Sequence, residues 1–451
     1  MPSMRATTSS AATLFAVPLL AEYEADPELN LLKRLFEQTI DEKPFQALAK
    51  PGVGRPGWPV RTLLRALVLQ RLHAWHDRTL VSELQDNGRV RYLVGLPLGT
   101  RVAPSRTALV NFRNAVVDHG LALELFEQHV GWIGAQAGLV AAAADDFGID
   151  STRCEAAPGQ PTVIGLLQHA LRRVLLAARD CAPAAAAALA AAWHLEAFLG
   201  PRFQRCSRGI RSRSGRRLWR RWYRTAERVL AGLGDLRARH EAIAAAAQVL
   251  ERIMAERGPD GLQTPPDRLT NALDPEVRFG CKGDAAHRQT WQGTKVSLVT
   301  HLGTDLIVGL DVMYADRADK HALTWTLDQA AGLLGAGPLA RLHADSAYTD
   351  ADSRRAVTRR RTVLIGPRRG KVRRGRVRGG GQVTGPQERG KRCHIERVHA
   401  HLVRYRGNRR AWYLGLTKTF YQTALSAVAA NLVRLCTLVR QGRLQLPAAP
   451  A

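Results

Sequence analysis

At 451 residues, with 66 Lys plus Arg against 39 Asp plus Glu, the chain carries a net charge of +27 and a pI near 11. Its length predicts two or three domains, and a hydrophobic content of 45% excludes a disordered basic tail. A surplus of that size draws polyanions, above all nucleic acid; a GC-rich genome would explain Arg over Lys but not the excess over acids.

The opening "AATLFAVPLLAEYEAD" imitates a signal peptide only weakly, with one Arg before it, a Pro inside it and acids after it. Residues 1–26 therefore read as a flexible leader of a cytoplasmic protein. A helical domain is expected over 27–135. Its stretch "VRTLLRALVLQRLHAWH" sets Leu64, Leu67, Val68, Leu72 and Trp75 on one face of an amphipathic helix. "APSRTALVNFRNAVVDHG" predicts a helix that Ser105 caps and Gly120 closes, with Ala108, Leu109, Phe112 and Val116 buried. Its polar side fits either a helix-turn-helix reader of DNA or a plain solvated face. In the first reading Arg106, Asn111 and Arg113 are the DNA contacts.

"DDFGIDSTRC", residues 145–154, is the first strand. Strong helix formers then fill 161–262 and predict a helical insertion packed beside the sheet. Inside it, "PRFQRCSRGIRSRSGRRLWRRWYR" interleaves Arg with Trp219, Trp222 and Tyr223. That pattern suits phosphate contact with base stacking, and equally a solvated helix whose aromatics lie in a core. After Pro265 and Pro266, "TKVSLVTHLG" and "LIVGLDVMYA" read as a strand hairpin and "KHALTWTLDQAAGLL" as a helix. "ARLHADSAY" is another strand, "DADSRRAVTR" a short helix and "TVLIGP" a last strand. A Gly/Arg-rich loop over 366–391 follows; twelve cations between Arg354 and Arg378 favour phosphate contact. Two helices and a tail over 441–451 close the chain. No apolar run reaches transmembrane length, so no membrane partner is expected. The six cysteines include no C-x-x-C pair, and Cys281, His287, Cys393 and His394 match no zinc-ligand spacing.

Apart from the insertion, the order is that of a ribonuclease H-like α/β sheet, over 140–160 and 263–440, behind an all-α domain. In such a sheet, acids at the carboxyl ends of strands form sites. Asp345 ends the strand after the crossover helix, and Asp150 sits similarly at the end of the first strand. Glu396 lies on a helix among Arg392, Arg397 and Arg404. Three carboxylates repel one another unless cations separate them; two Mg²⁺ ions (or Mn²⁺) about 3.5–4 Å apart would neutralise them and activate a water or 3′-hydroxyl. Asp145 and Asp146 precede the strand, Asp311 ends a later one, and Asp316 and Asp319 suit a helix start. Lys295 is either a phosphate contact or a surface lysine.

At "IDSTRCEAAP", "DPEVRFGCKG", "WQGTKVSLV", "ADSAYTD" and the stretch from "RCHIERVHAHLVRY" to "NLVRL", the sequence resembles bacterial insertion-sequence transposases of the DDE class. The resemblance runs from about 30 to 440. It implies Asp150, Asp345 and Glu396 as catalytic metal ligands, with Arg392 before the glutamate and Lys418 in a "G-L-x-K" element. Where many relatives carry a Lys seven residues after the glutamate, this chain has Val403 and then Arg404. The implied activity is binding of terminal inverted repeats, cleavage, and strand transfer into target DNA by a homodimer on double-stranded DNA. A cleaving nuclease of the same fold, or a decayed copy that only binds DNA, are the rivals.

Overall fold

The computed structural model describes residues 10–48, 57–136, 138–141, 144–201, 203–265, 267–282, 289–335, 337–367 and 386–446. Seven helices come first: α1 (Ser10–Ala25), α2 (Pro27–Thr39), α3 (Val60–Leu72), α4 (Asp77–Asp86), α5 (Gly88–Val94), α6 (Arg106–Asp118) and α7 (Leu121–Ala135). Local chemistry sets several of their starts. Asp26 accepts the Glu28 and Leu29 N–H groups, Asn87 those of Arg89 and Val90, and Ser105 that of Ala108. Gly120, at φ +69°, ends α6 as expected. Two expectations need correction. Residues 10–25, within the expected flexible leader, form a helix, and its Tyr23 ring packs 5.9 Å from Tyr92. α3 is buried on every side rather than on one face, because it lies between α5, α6 and the last helix of the chain.

The sheet comprises β1 (Asp146–Glu155), β2 (Arg278–Lys282), β3 (Gln289–His301), β4 (Leu306–Tyr314), β5 (Arg341–Ala344) and β6 (Val363–Ile365). β3 pairs antiparallel with β4 on one side and with β1 on the other, and β1, β5 and β6 pair in parallel. That is the ribonuclease H-like arrangement expected from the element order. β2, not anticipated as a strand, pairs with the first residues of β3.

Between β1 and β2 come α8 (Val163–Cys181), α9 (Pro183–Ala192), α10 (Glu196–Leu199), α11 (Arg213–Gly232), α12 (Leu236–Arg239) and α13 (Glu241–Arg257). They enclose a hydrophobic core of their own, from Ile164 to Ala272, and put no strand into the sheet. α14 (Leu323–Leu333) covers one sheet face, since a Cβ on Gly309 would lie 2.7 Å from the Thr326 carbonyl oxygen. α15 (Ala351–Arg359) flanks β6, and α16 (Pro386–Tyr405) crosses β1 and β5, its first turns occupying the end of the segment expected as loop. The loop residues 368–385 lie outside the described residues.

α17 (Leu416–Arg440) is the hub. It is long and apolar enough to cross a membrane, contrary to the expectation that no run is, yet 72% of its apolar stretch is buried between β4 and helices α2, α3 and α7. One continuous core consequently joins the N-terminal helices to the sheet. Two buried arginines fasten that junction. Arg71 on α3 donates to Ser426 Oγ (3.0 Å) and to the Arg406 carbonyl (2.5 Å), and its guanidinium lies 4.0 Å from the Trp412 ring centroid. Arg406 donates back to the Leu72 carbonyl.

A second fastening holds together the elements that carry the candidate site. Asp146 on β1 binds Arg341 and His343 of β5 and Lys391 of α16, the last at 2.6 Å. Burial opposes its ionisation, but the hydrogen bonds from Lys391, Arg341 and His343 outweigh that and hold the carboxyl down to about 2. Because this folded value lies below the ordinary one, the ionised group stabilises the fold above about pH 4, and that contribution is lost as pH falls from about 4 to 2. Asp146→Asn is therefore expected to lower the unfolding midpoint at neutral pH, with the gap to the parent closing across that window. Thermal melts across a pH series check this; a gap that persists unchanged at the acid end would exclude the charge as its cause.

Candidate active site

Asp150 is not at the end of its strand, as the sequence suggested; β1 continues to Glu155. It marks instead the place where parallel pairing with β5 stops, the last pair being Ile149 with Ala344. One step further in that register, Asp150 stands beside Asp345, whose backbone stays extended (φ −81°, ψ −179°). Adjacent strands are ~4.8 Å apart and registered residues share a face, so the two carboxylates leave the sheet side by side. Each has a backbone anchor. Ser151 N–H donates to Asp150 Oδ1 at 2.7 Å, and Ala347 N–H to Asp345 Oδ1 at 2.8 Å.

The face that carries Asp150 also carries Gly148, and α16 closes on it. A Cβ at Gly148 would lie 2.2 Å from Ile395 Cδ1, so glycine is what lets the helix approach. One helical turn beyond Ile395, the buried His399 ring lies against the Asp150 backbone. Two strand residues advance ~6.6 Å and four helical residues ~6 Å, so helix and strand run in step. Glu396 leaves α16 between those two contacts and is exposed. Burial pushes the His399 imidazole down to about 4, which keeps it neutral at neutral pH. Neither Gly148 nor His399 was singled out from sequence; a glycine inside a strand, just before "I-D", was the available signal.

The strand register thus brings Asp150 and Asp345 to neighbouring positions, while Glu396 is exposed on α16. Among the described residues, no three His, Cys, Asp or Glu side chains are grouped closely enough to hold a metal ion. The other acids are committed elsewhere. Asp145 binds His301 Nε2 at 3.0 Å, and Asp146 belongs to the fastening described above. Asp311 shares a sheet row with Ser297 and Ser151, which alternation places on the face opposite Asp150. On that opposite face the buried Tyr348 hydroxyl lies 3.3 Å from Ser297 Oγ, bracing the segment that follows Asp345.

The expected DNA contacts divide into two groups. Arg106 and Asn111 are exposed on α6, as are Arg397 and Arg404 on α16. Arg397 also lies 3.4 Å from Asp305, and Lys418 is half-buried in the first turn of α17. Arg392 is on α16, but its side chain is outside the described residues. Arg113 does not face outward: its side chain is 5% exposed, donates to Asp77 at 2.5 Å and stacks over Tyr413. It lies four residues after Leu109 and three before Val116, beside Phe112, and that periodicity carried it inward. Lys295 is spent as well, donating to Asp319 Oδ1 and the Arg317 carbonyl at 2.8 Å each. The Trp219 side chain is fully buried and donates from Nε1 to the Gly258 carbonyl, while Trp222 and Tyr223 pack on the same core. Of the two readings left open for that stretch, the aromatics follow the core one.

Two segments match known protein families. Residues 21–115 match the family described as Transposase domain (DUF772), and residues 352–436 match Transposase DDE domain. Both matched families are described as transposase domains. The first match ends just after Arg113, and the second spans Glu396, Arg392, Arg397, Arg404 and Lys418. Asp150, Asp345 and the helical insertion lie between the two transposase-like segments, outside both matches. No solved structure matches the chain.

Proposed function

We propose that this chain is a cytoplasmic transposase of an insertion sequence, which cuts DNA at the element's terminal inverted repeats and joins the freed ends to target DNA. The observation that carries the reading is the register that sets Asp150 beside Asp345 under α16, the helix that bears Glu396. Asp150, Asp345 and Glu396 are the residues that would hold divalent cations, Mg²⁺ or Mn²⁺. Their chemistry fits hard cations, which take carboxylate oxygens. Bound there, such ions supply an activated water or 3′-hydroxyl and a stabilised leaving oxygen. Three carboxylates without a cation repel, and a bound divalent cation would relieve that repulsion. The chain's own residues hold the geometry: Gly148 seats α16, neutral His399 braces the Asp150 backbone, and Arg397 and Arg404 on the rim face the phosphates. Two ends must be held at once, so the working form on DNA is a homodimer.

Strand transfer separates this reading from a nuclease of the same fold. Purified protein, Mg²⁺ and a duplex carrying the sequence that flanks the gene should yield both nicked ends and joined products. Nicks without any joined product would leave a nuclease, and neither product would leave a DNA-binding protein.

A further inference from the structure

We propose that the outward face of α11 and the loop before it form a clamp for duplex DNA that reads phosphates and not bases. The proposal deepens the transposase reading and rests on it for DNA as the polyanion.

Ten arginines and no acid fall between residues 202 and 224. α11 sorts them by geometry. Gly215, Trp219 and Ala226 are buried and Trp222 is half-buried, so these four mark the side turned to the insertion core. Arg217, Arg221, Arg224 and Arg228 repeat the same spacing two residues later and are exposed. A two-residue step turns a helix by about 200°, so Arg217, Arg221 and Arg224 face away from the core, while Arg228 lies 4.9 Å from the Trp193 ring centroid. With Arg213 at its start, the row spans about 22 Å, a length over which a duplex presents roughly 13 phosphates.

The row is largely free of counter-ions. Arg220 pairs with Asp260 at 2.5 Å, but Arg208, Arg211, Arg213, Arg217, Arg221 and Arg224 have no acidic partner among the described residues. The loop is also held in place. Thr162 Oγ1 donates to the Cys206 carbonyl at 2.8 Å, Cys206 N–H donates to Gln168 Oε1 at 2.7 Å, and Arg205 donates to the Gly159 carbonyl at 3.1 Å. Gly159 lies just past the end of β1, so the basic loop is anchored at the strand that carries Asp150.

Composition then selects the partner. Trp219, Trp222 and Tyr223 serve the core, and among the described residues from 203 to 232 no large apolar side chain is exposed. A membrane surface or a protein partner would call for exposed apolar anchors, and single strands for exposed aromatics to stack on. Guanidinium forks alone, on a rigid helix, match duplex phosphates.

The test uses the full chain without divalent metal, so that no cleavage is needed, and measures fluorescence anisotropy of a labelled 30-base-pair duplex of arbitrary sequence. Arg217→Gln/Arg221→Gln/Arg224→Gln is expected to weaken binding at least about tenfold and to flatten the log–log salt slope by about 2–3. A control that removes three acid-paired charges from the same insertion, Arg179→Gln/Arg237→Gln/Arg252→Gln, should change neither. Lysine at 217, 221 and 224 should largely restore the parent's salt slope. Equal losses in both triple variants, no loss in either, failure of lysine to restore the slope, or a larger loss for a 30-nucleotide single strand than for the duplex would each overturn the clamp. A protein that gives the expected binding results but never cleaves or joins DNA would keep the clamp and lose the transposase reading.

Discussion

Asp345→Asn is expected to abolish cleavage and joining of end-repeat DNA while leaving binding of that DNA intact or slightly tighter. Asparagine keeps the shape of the side chain and its acceptor for the Ala347 N–H, so the turn after β5 should hold. What it removes is the charge that, under the proposed function, would hold a divalent cation beside Asp150. Metal ions contribute several kcal/mol to charge stabilisation in phosphoryl transfer, so a loss of about three orders of magnitude is expected. Asp150→Asn and Glu396→Gln should behave alike, because in the proposed mechanism the three carboxylates would share the cations and neutralising any one would weaken the site. Binding tightens, if it changes, because an acid facing phosphate has gone. Asp319 is unsuitable as a control since it holds Lys295; Asp180, exposed and paired with Arg179, serves instead. A gel assay for nicked and joined products, run beside a mobility shift with the same duplex, reads both effects. Full activity in Asp345→Asn would remove it from the site, and full activity in all three variants would remove the metal mechanism.

Arg71→Ala should destabilise the protein by about 3–5 kcal/mol, because it combines a buried cavity with carbonyls left dry. Arg71 is fully buried, and burial lowers its guanidinium from the usual range to about 10, well above any working pH, so the group stays charged. It is retained because it joins α3, α17 and the 406–408 turn through bonds that no apolar residue can make. Arg71→Met, which restores volume but no donors, should recover only part of the loss. Urea unfolding midpoints of the three proteins measure this. A midpoint that Arg71→Ala leaves unmoved would mean that the junction is held by the apolar core alone.

Much of the architecture could be read from local pattern. Alternation located β1, β3 and β4, a cap and a glycine bounded α6, and the helix formers after residue 160 announced the insertion, because periodicity and capping are properties of short stretches. Asp150 and Asp345 were named in the same way, as carboxylates at strand ends in a basic chain, and Glu396 as an acid on a helix among arginines. Their partnership was not readable there. That Asp150 and Asp345 are neighbours depends on a parallel register between strands nearly 200 residues apart, and a slip of one residue would turn Asp150 to the other face. Charged residues misled where the tertiary structure made use of them internally. Arg71, Arg113 and Lys295 look like surface cations in any local window, yet each is held by partners distant in the chain. The sequence by itself determined the elements, the charge and the candidate acids, because these follow from neighbours along the chain. Which cations remain exposed, and which acids come to neighbouring positions, was decided only by packing, because burial and register are set by contacts between distant segments.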